Sequence, residues 1–172
     1  MVDWLSSMDQ SFEYYIVDPI TWGNLSKLNN VKSCTVNFDD SDGTLGSATI
    51  DCEDFINESY VRVYLVVNQN GVIEKVPFGT FLAQTPSVGF DGKSQGVSLD
   101  AYTPLIELKE KPPPIGFTVM KGANIMDTAS ELCRENMRAP VIAGSNSATL
   151  FSDFTASSED TWLTYVSDLL AN

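Results

Sequence analysis

Residues 87–96, SVGFDGKSQG, carry the residue types of a phosphate-binding loop. They match the pattern G-x-x-x-x-G-K-[ST] at Gly92, Lys93 and Ser94 and depart from it only at the first position, where serine replaces glycine. A phosphate loop lies between a buried strand and a helix whose N-terminus faces the phosphates. Here the following residues, QGVSLDAY, alternate in polarity as a strand does, and Asp91 would place a carboxylate in an anion site. The stretch therefore predicts a β-hairpin with an Asp-Gly turn rather than a nucleotide site.

A cluster of acidic residues in the first third of the chain could bind a divalent cation. Asp40 and Asp42 resemble part of an EF-hand loop, but Phe38 and Thr49 occupy the first and twelfth ligand positions. No helical pattern flanks the segment, so an EF-hand is excluded. A looser calcium or magnesium site in the turn at 39–42 stays open beside a solvated acidic loop, and no metal ligand is assigned.

The sequence contains no histidine, which removes Ser-His-Asp catalysis, Cys-His catalysis and His-ligated zinc. A carboxylate pair of the glycosidase type remains arithmetically open with 23 aspartate and glutamate residues, but nothing singles out two of them. The cysteines Cys34, Cys52 and Cys133 form no C-x-x-C pair, so we expect free thiols, with a Cys34–Cys52 disulfide across a hairpin as the alternative. We therefore predict no catalytic residue, no cofactor and no enzymatic activity.

The charge balance is strongly acidic. The 172 residues include 10 basic and 23 acidic ones, which gives a formal net charge of −13. Such a surface repels phosphate backbones, so specific nucleic-acid binding is not expected. An acidic surface of this kind would suit a wall along which DNA moves without binding. The hydrophobic content of 43% is ordinary for a globular chain, and the sequence has no apolar run long enough for a membrane-spanning helix.

The first two thirds of the chain predict β-structure, because apolar and β-branched residues alternate between turn signals. The expected strands cover residues 12–17, 31–38, 47–52, 60–67, 72–83, 84–90 and 96–102. The second and third of these predict a hairpin. Asn70-Gly71 predicts a type I′ turn, and Pro77 with Gly79 indicates a bulge or an edge position.

The chain changes character at three consecutive prolines, Pro112–Pro114, which predict a stiff connector. We therefore expect a barrel-like domain over residues 1–111 and a small segment with helices over residues 112–172. Two amphipathic patterns predict helices at 123–137 and 159–171, and the second helix is expected to begin after an N-cap at Ser157 or Ser158. A short strand is expected between the helices, at 149–154.

Three tryptophans, Trp4, Trp22 and Trp162, could line a groove for a sugar or a peptide. Aromatic side chains serve more often as core or interface anchors, and we expect packing roles for them.

The order of these segments resembles the N-terminal part of the tail hub (baseplate hub) proteins of tailed bacteriophages. The runs SCTVNFDDSDGTLGSATIDC, YVRVYLVVNQNGVIEKVPFGTFLAQTPS and VSLDAYTPLIELKEK follow the family's order of early hairpin, long strand, polar turn and P-x-G-T-F strand. Pro77, Gly79, Thr80 and Phe81 fall on that motif. KGANIMDTASELCREN and SSEDTWLTYVSDLLA are similar to the α/β segment that follows in the family. The fold expected is α+β, mainly β, with a barrel-like antiparallel sheet domain and then a small helix-containing α/β segment.

The resemblance implies a structural virion component rather than an enzyme. Hub subunits form a homo-oligomeric ring, typically a homotrimer, which joins the tail tube to the tail tip or baseplate. The implied partners are distal tail proteins, other tail-tip proteins and the tape measure protein, and DNA only passes through the lumen during genome ejection. The implied location is the virion tail, assembled in the cytoplasm of the host bacterium. The alternatives are a tail-associated peptidoglycan hydrolase whose catalytic domain lies outside these residues, and a stand-alone carbohydrate- or protein-binding module.

The last helical pattern carries the one interface that we expect from the sequence. Its apolar stripe is wide enough to require a covering surface. We expect a neighbouring subunit, or strands beyond Asn172 in a longer chain, to cover part of it. The expected interface residues are Trp162, Tyr165, Val166, Leu169 and Leu170.

Overall fold

The fold is that of a computed structural model, which describes residues 2–39, 43–53, 56–90 and 95–172. The chain forms two compact units. Unit 1 comprises Met1–Asp40 and Leu45–Thr103, and unit 2 comprises Ser41–Thr44 and Pro104–Asn172. The division at Thr103/Pro104 lies before the proline run.

Unit 1 is built on a seven-stranded sheet in which every neighbouring pair is antiparallel. The strands are β1 (Asp9–Val17), β2 (Asn24–Leu28), β3 (Val31–Asn37), β4 (Ser47–Cys52), β5 (Ser59–Gln69), β6 (Val72–Phe90) and β7 (Gln95–Tyr102). Their order across the sheet is β2-β1-β5-β6-β7-β4-β3. Together with three helices elsewhere in the described chain, this sheet confirms the α+β, mainly β fold that the sequence predicts.

The predicted hairpins form as expected. β3 pairs with β4, with Cys34 opposite Ile50 and Val36 opposite Ala48. The β5–β6 hairpin closes at Asn70 and Gly71, whose φ angles of 54° and 80° are the positive values that a type I′ turn requires.

The two strands expected at 72–83 and 84–90 are one long strand, β6. Its first part pairs with β5 and its last part pairs with β7, and only Leu82 and Ala83 have partners on both sides. Pro77 lies in the part with a single neighbour, where a missing N–H removes no hydrogen bond on the other side. Phe78 is the extra residue of a β-bulge, because Gly79 lies opposite Val63 and Pro77 lies opposite Tyr64. The sequence predicted a bulge or an edge position at Pro77 and Gly79, and the structure shows the bulge in a part of β6 that has one neighbouring strand.

The two edge strands close the sheet on itself. Seven flat strands would place β2 about 29 Å from β3, yet only Asn29 and Asn30 separate these strands in the chain. Three Cα steps reach at most about 11 Å, so the sheet must curl until its edges meet at the junction of Leu28 and Val31. β2 and β3 both run antiparallel to β1. The chain therefore pairs first with β1, as β2, and then continues in the same direction beside β4, as β3.

The interior of the curled sheet is a single apolar cluster to which every strand contributes. Its buried members are Ala48, Ile50, Cys52, Ile56, Val61, Val63, Phe81, Ala83, Val97, Leu99 and Ala101. Side chains of β1, β2 and β3 pack against this cluster: Tyr14, Ile16, Leu28, Val31, Cys34 and Val36. Burial alternates along β4 and over residues 96–102 of β7, because successive side chains point to opposite faces.

Unit 2 contains short elements around a second apolar cluster. They are α1 (Ile106–Lys109), β8 (Thr118–Val119), α2 (Ile125–Asn136), β9 (Phe154–Thr155) and α3 (Trp162–Leu170). β8 and β9 pair antiparallel. Helix α2 confirms the pattern at 123–137, and Asn124 caps it by accepting a hydrogen bond from the Asp127 N–H at 2.9 Å.

Two expectations for unit 2 are wrong. The short strand expected between the helices at 149–154 has the wrong bounds, because the strand found there is β9 (Phe154–Thr155) and Thr149 makes only an isolated bridge to Asn124. Helix α3 is capped by Thr161, not by Ser157 or Ser158. The Thr161 Oγ1 accepts from the Thr164 N–H at 3.2 Å, and the Thr164 Oγ1 accepts from the Thr161 N–H at 2.9 Å, which forms a reciprocal capping box.

Candidate functional site

The lysine-containing stretch that resembles a phosphate loop joins two paired strands. β6 ends at Phe90, β7 begins at Gln95, and these two residues are partners in register. The turn itself, residues 91–94, lies outside the described residues. A strand therefore follows the Lys-Ser pair where a phosphate loop has a helix, and no helix N-terminus is available to hold a phosphate there.

The described part of the acidic cluster is engaged by neighbouring side chains. The Ser33 hydroxyl donates to the Asp51 carboxylate at 2.6 Å, and hydrogen bonds from Ser33 and Ser98 lower the pKa of Asp51. Glu53 lies 3.8 Å from the Lys32 ammonium group. Over residues 2–39, 43–53, 56–90 and 95–172, no group of three or more Asp, Glu, Cys or His side chains could hold a metal ion. Most of the turn expected as a cation site, residues 40–42, lies outside those ranges.

All three cysteines are free thiols. Cys52 is buried inside the curled sheet, Cys34 is half-buried on β3, and Cys133 is half-buried on α2. Burial, with a smaller contribution from the Asp51 charge, raises the pKa of Cys34 to about 11. Burial also raises the pKa of Cys133. Neither thiol is activated as a nucleophile, because the thiolate is the reactive form.

The apolar stripe expected to form an interface is covered by unit 2 itself. Four of its five residues are buried in the unit 2 cluster: Trp162, Tyr165, Val166 and Leu169. The Phe117 ring packs against Trp162 and Tyr165 with centroid distances of 4.9 and 5.5 Å, and the Tyr165 hydroxyl donates to the Phe154 carbonyl at 2.8 Å. Only Leu170, which is 48% exposed, remains available for a surface contact.

An ionic network that the sequence patterns did not indicate covers the outer face of β1, β2 and β6. The Glu13 carboxylate accepts hydrogen bonds from the ammonium groups of Lys27 and Lys75, each at 2.6 Å, and from the Tyr15 hydroxyl at 2.9 Å. These contacts, with Lys27 contributing most, lower the pKa of Glu13 to about 2. Glu13 therefore forms ion pairs with two of the ten basic side chains of this acidic chain.

Arg62 on β5 links the same face to the turn after β1. Its Nε donates to the Thr80 hydroxyl at 3.0 Å, and its NH2 donates to the Trp22 carbonyl at 3.0 Å. Its guanidinium lies 5.8 Å from the centre of the Trp22 ring, which in turn packs on Tyr60 at 4.8 Å. Trp22 has a φ of 57°, a left-handed conformation that is rare for a bulky residue, and these contacts hold it there. Trp22 and Trp162 pack as predicted, whereas Trp4 is exposed.

The residues of the P-x-G-T-F motif each have a structural task at the β6 bulge. Phe81 is fully buried in the unit 1 cluster, and Thr80 accepts the bond from Arg62. A Cβ on Gly79 would lie only 2.7 Å from two carbons of the Phe81 ring, so any side chain at that position would displace this buried ring. The motif therefore specifies how β6 bends while it passes from β5 to β7.

An apolar cleft opens into the unit 1 interior beside this bulge. Its volume is about 150 Å³, and its lining residues are Phe12, Tyr14, Cys34, Val36, Val63 and Phe78. These residues belong to β1, β3, β5 and β6. The cleft lies where β1 lacks its β2 neighbour, because β2 pairs only with Tyr14–Val17 of β1. Phe12 and Phe78 remain about half exposed at the cleft, and their rings meet edge to face with centroids 6.0 Å apart.

No helix in the described residues is long and apolar enough to cross a membrane.

No protein-family model matches the sequence, and no curated protein matches it. Solved structures do share the fold. A tail protein from Neisseria meningitidis MC58 is 14% identical with a TM-score of 0.60, over 93% of this chain and 45% of that chain. The 43 kDa tail protein of prophage MuSo2 from Shewanella oneidensis is 12% identical with a TM-score of 0.63, over 94% of this chain and 48% of that chain. This chain thus spans a little under half the length of both tail proteins, and at these identities the likeness shows a shared fold.

Proposed function

We propose that this chain is a structural subunit of a phage tail and, more specifically, a hub subunit at the tail tip or baseplate. In this role it forms a homo-oligomeric ring, a homotrimer as in the hub family, which joins the tail tube to the tip. The tape measure protein and DNA pass through the ring, and distal tail and other tip proteins contact it. It is assembled in the host cytoplasm and remains in the virion.

The observation that carries this proposal is the shared fold. The similarity extends over 93% and 94% of the chain, across both units, and each of the two solved structures is a tail protein. The P-x-G-T-F residues on which the sequence resemblance depends also lie together at one structural feature, the β6 bulge. The shared fold supports a tail protein, and the sequence resemblance is the ground for the more specific hub role.

The strongly acidic net charge of the chain supports a role in which DNA passes through the ring without being bound. A ring of three such chains would carry three times the formal charge of −13, before any contribution from further residues. A wall of this sign repels the phosphate backbone at every position along the strand, so that DNA is neither bound nor read.

The proposal is tested in the phage or prophage that carries the gene. Deletion should yield particles without a normal tail tip, and wild-type protein supplied in trans should restore them, both judged by negative-stain electron microscopy. Gold labelling of an affinity tag should mark one end of the tail, and quantitative mass spectrometry of purified particles should give a low, fixed copy number. Normal infectious particles without the protein, or label along the whole tail, would contradict the assignment. Cleared cell-wall substrate or glycan binding by the purified chain would favour the hydrolase or binding-module alternative.

A further inference from the structure

We infer that the apolar cleft of unit 1 receives the Ile20 side chain of a second copy of this chain, and that this contact builds the proposed ring. The inference rests on the proposed function, because it names the interface of that ring. It follows from the size of the cleft, from the rigidity of the turn that carries Ile20, and from the charges beside each of them.

The cleft is a pocket that opens through the wall of the curled sheet. β2 pairs only with residues 14–17 of β1, so residues 9–13 have β5 as their one partner among the described strands. Inner-face side chains therefore line an opening, with Phe12 on one side and Cys34 on the other. An apolar cavity of roughly 150 Å³ holds one molecule of the size of benzene, and this cleft has a volume of about 150 Å³. One isoleucine or leucine side chain would fill it.

Ile20 lies at the tip of the turn that joins β1 to β2, and hydrogen bonds hold this turn in one conformation. The Asp18 carboxylate accepts from the Ile20 N–H at 2.9 Å and from the Thr21 hydroxyl at 2.8 Å. The Trp22 N–H donates to the Asp18 carbonyl at 2.8 Å, and the Asp18 N–H donates to the Gly23 carbonyl at 2.9 Å. The Ile20 side chain is nevertheless 91% exposed. The turn therefore presents an apolar side chain in a fixed position without covering it.

The backbone of the same turn is strained. The φ of 57° at Trp22 is unfavourable for a bulky residue, and Arg62 and Tyr60 hold it there. Such strain persists only where neighbouring contacts enforce it, and it clusters at functional sites. A side chain on an ordered turn also loses little freedom on binding, which favours its use as an anchor. Leu5 is 99% exposed, but it precedes the first strand, whereas the Ile20 turn is fixed by a strand at each end.

The turn and the cleft lie at different places on one chain. The turn follows the end of β1 at Val17, whereas Phe12 lies five residues earlier, about 17 Å away along the strand. The exposure of Ile20 shows that it does not fill the cleft of its own chain. Each copy would instead offer its turn to one neighbour and its cleft to another. Head-to-tail contacts of this kind form a ring when the rotation between copies closes.

Local charges favour this contact, although the net charge of −13 opposes association. Lys27 and Lys75 share the single carboxylate of Glu13 on β1, a strand that lines the cleft, so one positive charge remains beside the cleft. The turn of the second copy brings the Asp18 carboxylate toward that charge. Attraction inside a contact is screened less by salt than the repulsion between whole chains, so the two effects are compatible.

A disulfide tests the contact directly, because Cys34 is a free thiol in the cleft. Ile20→Cys places a thiol on the turn, and oxidation with copper–phenanthroline should then link copies through residues 20 and 34. Gels without reductant should show dimers and larger linked species, and mass spectrometry should identify the linked peptides. Adding Cys34→Ser should abolish the link. Ile142→Cys, which replaces an isoleucine that is 96% exposed, is the matched control and should form no link to Cys34.

Sedimentation velocity at about 0.15 M NaCl supplies a second readout. Ile20→Ser, which removes the anchor, and Cys34→Phe, which fills the cleft, should each raise the concentration for half-assembly at least about tenfold. Ile142→Ser and Thr35→Phe, on the opposite face of β3, should leave it unchanged. Circular dichroism establishes that the variants are folded. If Cys34→Phe does not fold, Ile20→Ser and the disulfide decide the question.

The outcomes separate this inference from the proposed function. An Ile20→Ser ring of unchanged stability, with no disulfide between residues 20 and 34, would overturn the inference and leave the tail role intact. Linked species that stop at the dimer after complete oxidation would also overturn it, since they would show a closed pair rather than a ring. A wild-type chain that stays monomeric at every protein and salt concentration would overturn the inference together with the proposed ring.

Discussion

At the scale of single residues, a glycine governs the bend in β6. The missing side chain at Gly79 lets the Phe81 ring lie against the backbone inside the core, and the neighbouring Phe78 bulge directs the strand toward β7. Gly89 lies on the same strand, with no atom of another part of the chain within 4 Å of where its Cβ would be. Gly79 and Gly89 therefore lie on the same strand, but only the Cβ position of Gly79 is crowded by a neighbouring side chain.

We predict that Gly79→Ala destabilises the protein by about 1–3 kcal/mol, because the new methyl group overlaps the fully buried Phe81 ring and displaces it. Gly89→Ala should change the free energy of unfolding by no more than about 0.5 kcal/mol. Urea denaturation followed by far-ultraviolet circular dichroism measures both. Equal stability of the two variants would show that the core accommodates the methyl group and that the bulge does not depend on glycine.

A second residue-scale prediction concerns Glu13 and pH. Its pKa in the folded protein is lowered from 4.5 to about 2, so the folded state favours the ionised form more than the unfolded chain does. The stability that this carboxylate contributes is therefore present above pH 4.5 and is lost as the pH falls toward 2. Glu13→Gln should lower stability near neutral pH by about 1 kcal/mol, since partly exposed ion pairs contribute little each. The difference from the wild type should shrink as the pH falls.

The control for the pH experiment is Glu131→Gln on α2, which removes a carboxylate from an exposed helix position. Its stability difference from the wild type should stay near zero at every pH. A Glu13→Gln difference that does not change between neutral pH and pH 2 would mean that the lysines stabilise the sheet by packing rather than by charge.

At the scale of elements, the helix α3 is a core element of unit 2. Leu169 is fully buried and its neighbour Leu170 is 48% exposed. We predict that Leu169→Ala costs about 2–5 kcal/mol, because it leaves a cavity in the unit 2 cluster, whereas Leu170→Ala changes stability by less than about 0.5 kcal/mol. Thermal denaturation compares the two. If Leu169→Ala kept its stability and only altered the oligomeric state, α3 would be an interface helix as its sequence pattern first indicates.

Elements with strong alternation could be predicted from the sequence, and weakly patterned ones could not. β4 covers the predicted residues 47–52, and α2 lies within two residues of the predicted ends. β2 was not predicted, because its residues NLSKL are poor strand formers and lie almost entirely exposed at an edge. α1 is only four residues long, which is too short for a helical period to show. The cap at Thr161 was not predicted because Ser157 and Ser158 offer the same side-chain chemistry a few residues earlier.

At the scale of the whole molecule, the candidate site depends on contacts that a local pattern does not encode. The alternation at 31–38 predicts that Cys34 and Val36 share a face, and this is confirmed. That the same face meets Phe12, Val63 and Phe78 follows only from the closure of the sheet between β2 and β3. Likewise, the sequence shows the width of the stripe on α3, but only the three-dimensional packing shows that unit 2 covers most of it.

The last prediction follows from the net charge of −13 and from the proposed ring. Copies of so acidic a chain repel one another, and the repulsion acts over a Debye length that falls from about 30 Å at 0.01 M salt to about 8 Å at 0.15 M. We therefore expect the assembled fraction, measured by sedimentation velocity at fixed protein concentration, to rise over this range of NaCl. A ring that dissociates as salt is added would mean that ion pairs between subunits hold it together, and the repulsion assumed here would not govern assembly.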